Sequence, residues 1–244
     1  MKALIISDVH SNADALRAIW EQENDCDAVY CAGDIVDYGP QPAETIEWLE
    51  ARNVNCVQGN HDACVIDAWN SGEYKNAPAG QLTWAHHNCR NLRPEHIAFL
   101  ERLPKCLSFE MDNACYLLRH SFRQDYGTIE TYYHFDKHWS ENYKLPLNFR
   151  ERRMIFGHTH RQGAHILSDG ALWMNPGSAS YRREDDPTKG AYYGVIEDGQ
   201  IFLRHVQYDR GRLLDAAQKV RDELSPGQWQ IAFFFFGEPE SRDS

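Results

Sequence analysis

Histidine and aspartate recur along this chain in a pattern suited to binding metal ions. Asp8-Val9-His10, Gly33-Asp34-Ile35-Val36-Asp37, Gly59-Asn60-His61-Asp62, a single His120 and Gly157-His158-Thr159-His160 fall in that order, each after a run of apolar, strand-like residues. Carboxylate, amide carbonyl and imidazole groups suit divalent cations that must polarise phosphoryl oxygen, where thiolates do not. The set is large enough to hold two cations close together, and a pair of cations is a standard device for attacking phosphorus with water. Each motif alone has an ordinary structural reading. A lone histidine is commonly a surface or core residue, Gly-Asp is commonly a turn, and Gly-His-Thr-His could simply end a strand. Their occurrence together, in order, is what argues for a metal centre.

The elements that must carry these side chains are legible in the first half. Ala3-Leu4-Ile5-Ile6 is a continuous apolar run, the pattern of a buried strand. A helix follows with Leu16, Ile19 and Trp20 on one face, then a second strand at Ala28-Val29-Tyr30-Cys31. Pro42 opens a second helix carrying Ile46 and Leu49, and Val54-Asn55-Cys56-Val57 makes a weaker third strand. This β-α-β-α-β order predicts a parallel sheet with right-handed crossovers. In such sheets ligands collect beyond the carboxyl ends of the strands, which is where every motif stands.

Residues 62–103 read as mainly helical, with Pro94 at a first turn, Ile97, Leu100 and Leu103 as a buried stripe, and Pro104 as the stop. The period then shifts to strands at 106–110, 115–119, 153–156, 165–167, 171–174, 192–196 and 201–208. Asp169-Gly170 and Asp198-Gly199 are hairpin signals. A late helix is expected to carry Leu213, Ala217, Val220 and Leu224, and His86-His87 is expected as a surface pair on a helix. The fold class is α/β becoming strand-rich, read as a single domain over residues 1–244.

Composition narrows the partners. A net charge of −11 speaks against stable nucleic-acid binding, which needs clustered Lys and Arg. It is compatible with a small phosphate-ester substrate, since bound cations invert the local potential of an acidic site. The seven cysteines (Cys26, Cys31, Cys56, Cys64, Cys89, Cys106, Cys115) are odd in number and lack Cys-x-x-Cys pairing, the usage of a reduced, cytoplasmic protein. Met1-Lys2 runs directly into a strand, leaving no room for a signal peptide. No apolar stretch approaches the ~20 residues of a membrane span. The aromatic run at 233–236 is expected to pack on the core or at a subunit contact, which leaves a homo-oligomer open.

The order and content of the motifs resemble the calcineurin-like metallophosphoesterase superfamily, from residue 4 to about residue 208. The resemblance implies a four-layer α-β-β-α sandwich of two mixed sheets. It also implies a binuclear site, with Asp8, His10, Asp34 and His160 around one divalent cation and Asp34, Asn60, His120 and His158 around the other. Asp34 would bridge them, and a water between the cations would be the nucleophile. The metals such a site accepts include manganese, the first expectation, and iron, cobalt, nickel and zinc. Family members use the histidine matching His61 on the phosphoryl group or the leaving oxygen, and in some branches the aspartate matching Asp37 orients it.

Gly33-Asp34-Ile35-Val36-Asp37-Tyr38-Gly39-Pro40 and Asn175-Pro176-Gly177-Ser178 look most like small bacterial and archaeal phosphodiesterases of the superfamily. Asn175-Pro176-Gly177-Ser178 resembles a family turn that braces the site; it is equally readable as an ordinary Pro-Gly turn. The related protein phosphatases and symmetrical diadenosine tetraphosphate hydrolases carry Arg where this chain has Tyr38, which argues against both activities. Ser121 follows His120 where many relatives carry Gly. Arg182 and Arg183 are candidates to grip substrate phosphate, Arg183 foremost, although Glu184-Asp185-Asp186 beside them suits a solvated loop. The expectation is a phosphodiesterase for small phosphate esters. The alternatives are a phosphomonoesterase or dinucleoside polyphosphate hydrolase, and, from another class, a non-catalytic protein-interaction scaffold of the same fold.

Overall fold

Leu4 and Ile6 face one side of the first strand and Ala3 and Ile5 the other, and both sides are buried. That is why β1 (Lys2–Ile6) is apolar from Ala3 onward. The computed structural model of the chain describes residues 1–122, 126–143, 151–167, 171–180 and 190–236, without the side chains of 232–236. β1 pairs in parallel with β2 (Ala28–Cys31), and β2 with the two-residue β3 (Asn55–Cys56), through α1 (Ala13–Glu23) and α2 (Pro42–Ala51). On its other side β1 pairs antiparallel with β9 (Ala191–Glu197), which turns back into β10 (Gln200–Val206). The order of the first sheet is β10-β9-β1-β2-β3.

The second sheet holds β4 (Cys106–Met111), β5 (Ala114–Arg119), β6 (Glu151–Ile155), β7 (Gly163–Ile166) and β8 (Leu172–Asn175) in the order β4-β5-β6-β8-β7. β5, β6 and β8 run parallel, and both edge strands are antiparallel to their neighbours. Ala3 and Ile5 of the first sheet meet Tyr116, Leu118, Ile155 and Met174 of the second in one apolar layer. The opposite faces are covered by helices. Leu4 and Ile6 pack with Leu16, Ile19, Ile46 and Leu49, while Cys115, Leu117 and Met154 pack with Phe135 and Trp139 of α6 (Tyr132–Asn142). The result is the four-layer α-β-β-α sandwich of two mixed sheets.

The helical segment after β3 resolves into α3 (Asn60–Ser71), α4 (Trp84–Asn91) and α5 (Pro94–Glu101). His86-His87 is not a surface pair. His87 is buried edge-on against Trp84, because α4 packs against α3 as well as the body of the molecule. His86 is half-buried and its Nδ1 faces the Thr83 N–H at the start of α4, while Thr83 Oγ1 accepts the His86 N–H. The late helix is shorter than its apolar spacing implies. α7 spans Gly211–Lys219, and Leu224 lies beyond it in a bridge with Leu82. A further helix, α8 (Pro226–Phe236), follows, opened by a proline suited to a first turn.

Asp198 and Gly199 form the β9–β10 turn with φ of 48° and 78°. The Asp169-Gly170 turn, Arg182, Arg183 and the side chains of 233–236 lie outside the described residues. All seven cysteines are unpaired, and among the described residues no helix is long and apolar enough to cross a membrane.

Candidate metal centre

Three loops of the first sheet and two of the second meet at one rim. β1 leads to Ser7-Asp8, β2 to Gly33-Asp34, and β3 to Gly59-Asn60 at the start of α3. β5 ends just before His120, and β6 just before the segment holding His158 and His160. Backbone bonds lace the loops together: Asp8 N–H donates to Gly33 O at 2.9 Å, Val9 N–H to Asp34 O at 2.8 Å and Gly157 N–H to His120 O at 2.9 Å.

The packing is close enough to demand glycine. A Cβ on Gly59 would lie 2.0 Å from Asp34 Oδ1, and one on Gly157 would lie 1.9 Å from Ser7 Oγ. Strain is concentrated here too. Asp8, His10, Ser11, Asp34, Asp37, Tyr38, His158 and His160 all hold positive φ between 47° and 73°, a region that side chains other than glycine seldom adopt. Such residues persist where the surroundings over-determine them, as at binding and catalytic sites.

All seven expected ligand residues are brought together. One ligand atom from each of Asp8, His10, Asp34 and His160 lies within 4.8 Å of the others, and Asp34, His120 and His158 form a second such group. Asp34 belongs to both. Asn60 joins the second group through Oδ1, 2.9 Å from His120 Nε2. Asp8, His10 and Asp34 are fully buried, His120 nearly so, and His158, His160 and Asn60 stand toward solvent.

The surrounding bonds orient these groups. His120 Nδ1–H donates to Ala32 O at 2.8 Å, which leaves Nε2 facing Asn60 and Asp34 Oδ2, the latter at 3.1 Å. Asp8 receives the His158 N–H on both oxygens at 3.1 Å, and its Oδ1 lies 3.1 Å from His160 Nε2. Asp34 Oδ1 accepts the His61 N–H at 2.9 Å. His61 Nδ1 lies 2.8 Å from Asp37 Oδ2, so the expected His61–Asp37 pair is formed in geometry.

The donor set fits divalent cations. Among the described residues His158 Nε2 is shielded from water and makes no hydrogen bond, although buried polar atoms are nearly always paired. The charges agree. Burial works against a charged His120, yet Asp34 and Asp8 together with the Ala32 carbonyl push its pKa up to about 10. Burial likewise opposes the charge on Asp34, but His120, His61 and His10 hold its carboxyl far below the usual range. The carboxylates thus favour positive charge at His120, while burial pushes the His10 and His158 pKa values down and keeps those imidazoles neutral, the form that ligates a cation.

Two supporting residues, Asp62 and Asn88, hold the loops in place. Asp62 Oδ1 accepts the N–H groups of Ile35 and Val36 at 2.8 and 3.1 Å, and Oδ2 accepts that of Gly59 at 2.8 Å. Asn88 of α4 accepts Ser11 Oγ at 2.6 Å and the Asp37 N–H at 2.9 Å, and donates to Gly39 O at 2.9 Å. Asp62 stands inside a quoted motif, which is a usable signal; Asn88 offers none. The Asn175-Pro176-Gly177-Ser178 turn does hold two site loops. Asn175 Nδ2 donates to Gly157 O at 2.7 Å, and Ser178 Oγ donates to Asp8 O at 2.8 Å.

A family model for the calcineurin-like phosphoesterase superfamily domain matches residues 1–198. An uncharacterized protein of Methanocaldococcus jannaschii is 27% identical over 251 residues, covering 96% of this chain and 97% of that one. Among solved structures, a metallophosphoesterase from Sphaerobacter thermophilus is similar with a TM-score of 0.67 at 23% identity, covering 96% of this chain and 99% of that one. A hypothetical protein from Pyrococcus horikoshii OT3 is similar with a TM-score of 0.73 at 15% identity, covering 97% and 98%. The sandwich, the motif order and the family match agree: this chain belongs to the calcineurin-like phosphoesterase superfamily.

Proposed function

We propose that this chain is a metal-dependent phosphodiesterase for small phosphate esters, with two divalent cations held around Asp34. The observation that carries this reading is that the two ligand groups meet at one fully buried carboxylate. Asp8, His10 and His160 complete one set, and Asn60, His120 and His158 the other. When bound, the two cations supply a nucleophilic water near neutral pH and neutralise charge on the phosphoryl oxygens. Oxygen and imidazole ligands accept manganese, iron, cobalt, nickel or zinc, and manganese is the first to test.

His61 is the proton donor in this scheme. Burial disfavours its charge, but the Asp37 hydrogen bond, with Asp34 and Asp62 nearby, raises its pKa above the ordinary histidine value. With Nδ1 tied to Asp37, Nε2 is the nitrogen left for substrate. As the ester P–O bond breaks, its electron pair goes to the leaving oxygen and the His61 Nε2 proton joins it there.

Diester rather than monoester chemistry is favoured by Tyr38. Burial, with Asp37 beside it, raises the phenol's pKa, so Tyr38 stays neutral and brings no cation to a second phosphate charge. The overall charge of −11 disfavours a polynucleotide substrate. Seven unpaired thiols suit the cytoplasm. A scaffold that only bound other proteins would have no use for His61 held by Asp37.

Steady-state hydrolysis of bis(p-nitrophenyl) phosphate and p-nitrophenyl phosphate by Mn²⁺-loaded protein tests the proposal. The expected result is higher kcat/KM for the diester. A strong monoester preference overturns the diesterase assignment, and no turnover with Mn²⁺, Ni²⁺ or Co²⁺ overturns the enzymatic one.

A further inference from the structure

Tyr126 is 75% exposed, yet its ring lies flat on the His158 imidazole, with centroids 4.9 Å apart and planes 12° from parallel. One aromatic face is thus covered by a residue of the second ligand group, and the other looks outward. The Tyr38 ring stands 4.6 Å from His61 and 5.6 Å from His10, a residue of the first group. Two aromatic rings thus border the ligand groups, Tyr126 at the second and Tyr38 at the first. A phosphoryl group bound at the cluster would carry its substituents past them.

An aromatic ring with an open face binds planar rings through stacking, with little demand on their hydrogen-bonding pattern. We infer that Tyr126 is a specificity residue whose open face stacks on a planar aromatic group carried by the phosphoester. This inference rests on the phosphodiesterase reading and adds the class of substrate: esters bearing an aryl ring or a nucleobase, in preference to those bearing saturated groups of equal bulk.

Isothermal titration calorimetry with phenylphosphonate, cyclohexylphosphonate and methylphosphonate tests this on the Mn²⁺-loaded protein, since the C–P bond is not an ester and the three differ only in the attached group. Phenylphosphonate is expected to bind about tenfold more tightly than cyclohexylphosphonate, by the strength of base–aromatic stacking. Tyr126→Ala should erase that preference and Tyr126→Phe should keep it, with thermal midpoints checking that both variants fold. Thymidine 5′-phosphate against deoxyribose 5-phosphate, as inhibitors of diester hydrolysis, tells a nucleobase from a ring borne directly on phosphorus; a Tyr126-dependent gain in either pair supports the inference. Equal affinity within both pairs, or a preference that survives Tyr126→Ala, overturns it. Failure of all three phosphonates to bind, with no Tyr126-dependent gain for thymidine 5′-phosphate while diester hydrolysis persists, also overturns it alone. Loss of binding together with absence of any hydrolysis overturns the phosphodiesterase reading instead.

Discussion

Asp37 divides its two oxygens between structure and chemistry: Oδ1 accepts the Tyr38 N–H at 2.8 Å, and Oδ2 lies 2.8 Å from His61 Nδ1. If His61 is the proton donor, His61→Ala should lower kcat by about 10²–10⁴-fold while the protein keeps its metal. Asp37→Asn should cost less, and it should also shift the pH profile. A general acid acts while protonated, so activity falls above its pKa. Removing the Asp37 charge lowers that pKa, and the alkaline limb should move to lower pH. An unmoved limb in steady-state pH profiles would dismiss the pair. Asp62 makes a different prediction, about stability. Asp62→Ala leaves three backbone N–H groups without their acceptor, at about 1–3 kcal/mol each, and urea unfolding should register a loss of several kcal/mol. Asp62 is visible in the sequence as one more acid after His61. Its role is not, because two of the amides it satisfies lie 26 and 27 residues upstream.

α4 shows how an element outside both sheets supports the rim. It buries His87 and Asn88, and Asn88 ties together Ser11, Asp37 and Gly39. Burial pushes the His87 pKa down to about 4. In the unfolded chain the group titrates near 6.5, so the unfolded state takes up its proton first. The stability conferred by a neutral His87 is complete above about pH 6.5 and is lost as pH falls toward 4. Between pH 7 and pH 5 the wild type should lose about 1–2 kcal/mol more than His87→Gln, by urea unfolding at the two pH values. Equal losses would mean that His87 is hydrated or paired when charged. The sequence suggested a surface pair because two adjacent imidazoles on a helix read as polar; the contact that buries His87 is with Trp84, one turn earlier. Other elements were legible for a clear reason. Leu4 and Ile6 against Ala3 and Ile5 write a two-sided burial directly into β1. The β4–β5 turn was not, since Asp112-Asn113, both at positive φ, replaces the usual Asx-Gly signal. α8 was hidden as well, its apolar run carrying no helical period.

Long-range assembly decides what the protein can do. The ligands come from loops of both sheets, and Asp8 and His158, which touch through the His158 N–H, are 150 residues apart. The motifs made this convergence readable, because each stands after a strand whose carboxyl end reaches the rim. The order of strands in the second sheet was not readable, because β8 inserts between β6 and β7 and no local pattern records that. On the proposed reading, cation binding would clamp the two sheets together, and the clamp would turn on Asp34, the residue common to both groups. Metal analysis of the purified protein after equilibration with Mn²⁺ is the most direct test. Two ions per chain are expected in the wild type and in His61→Ala, with both lost or greatly weakened in Asp34→Asn. One ion per chain, or two retained by Asp34→Asn, would contradict a binuclear site built on that carboxylate.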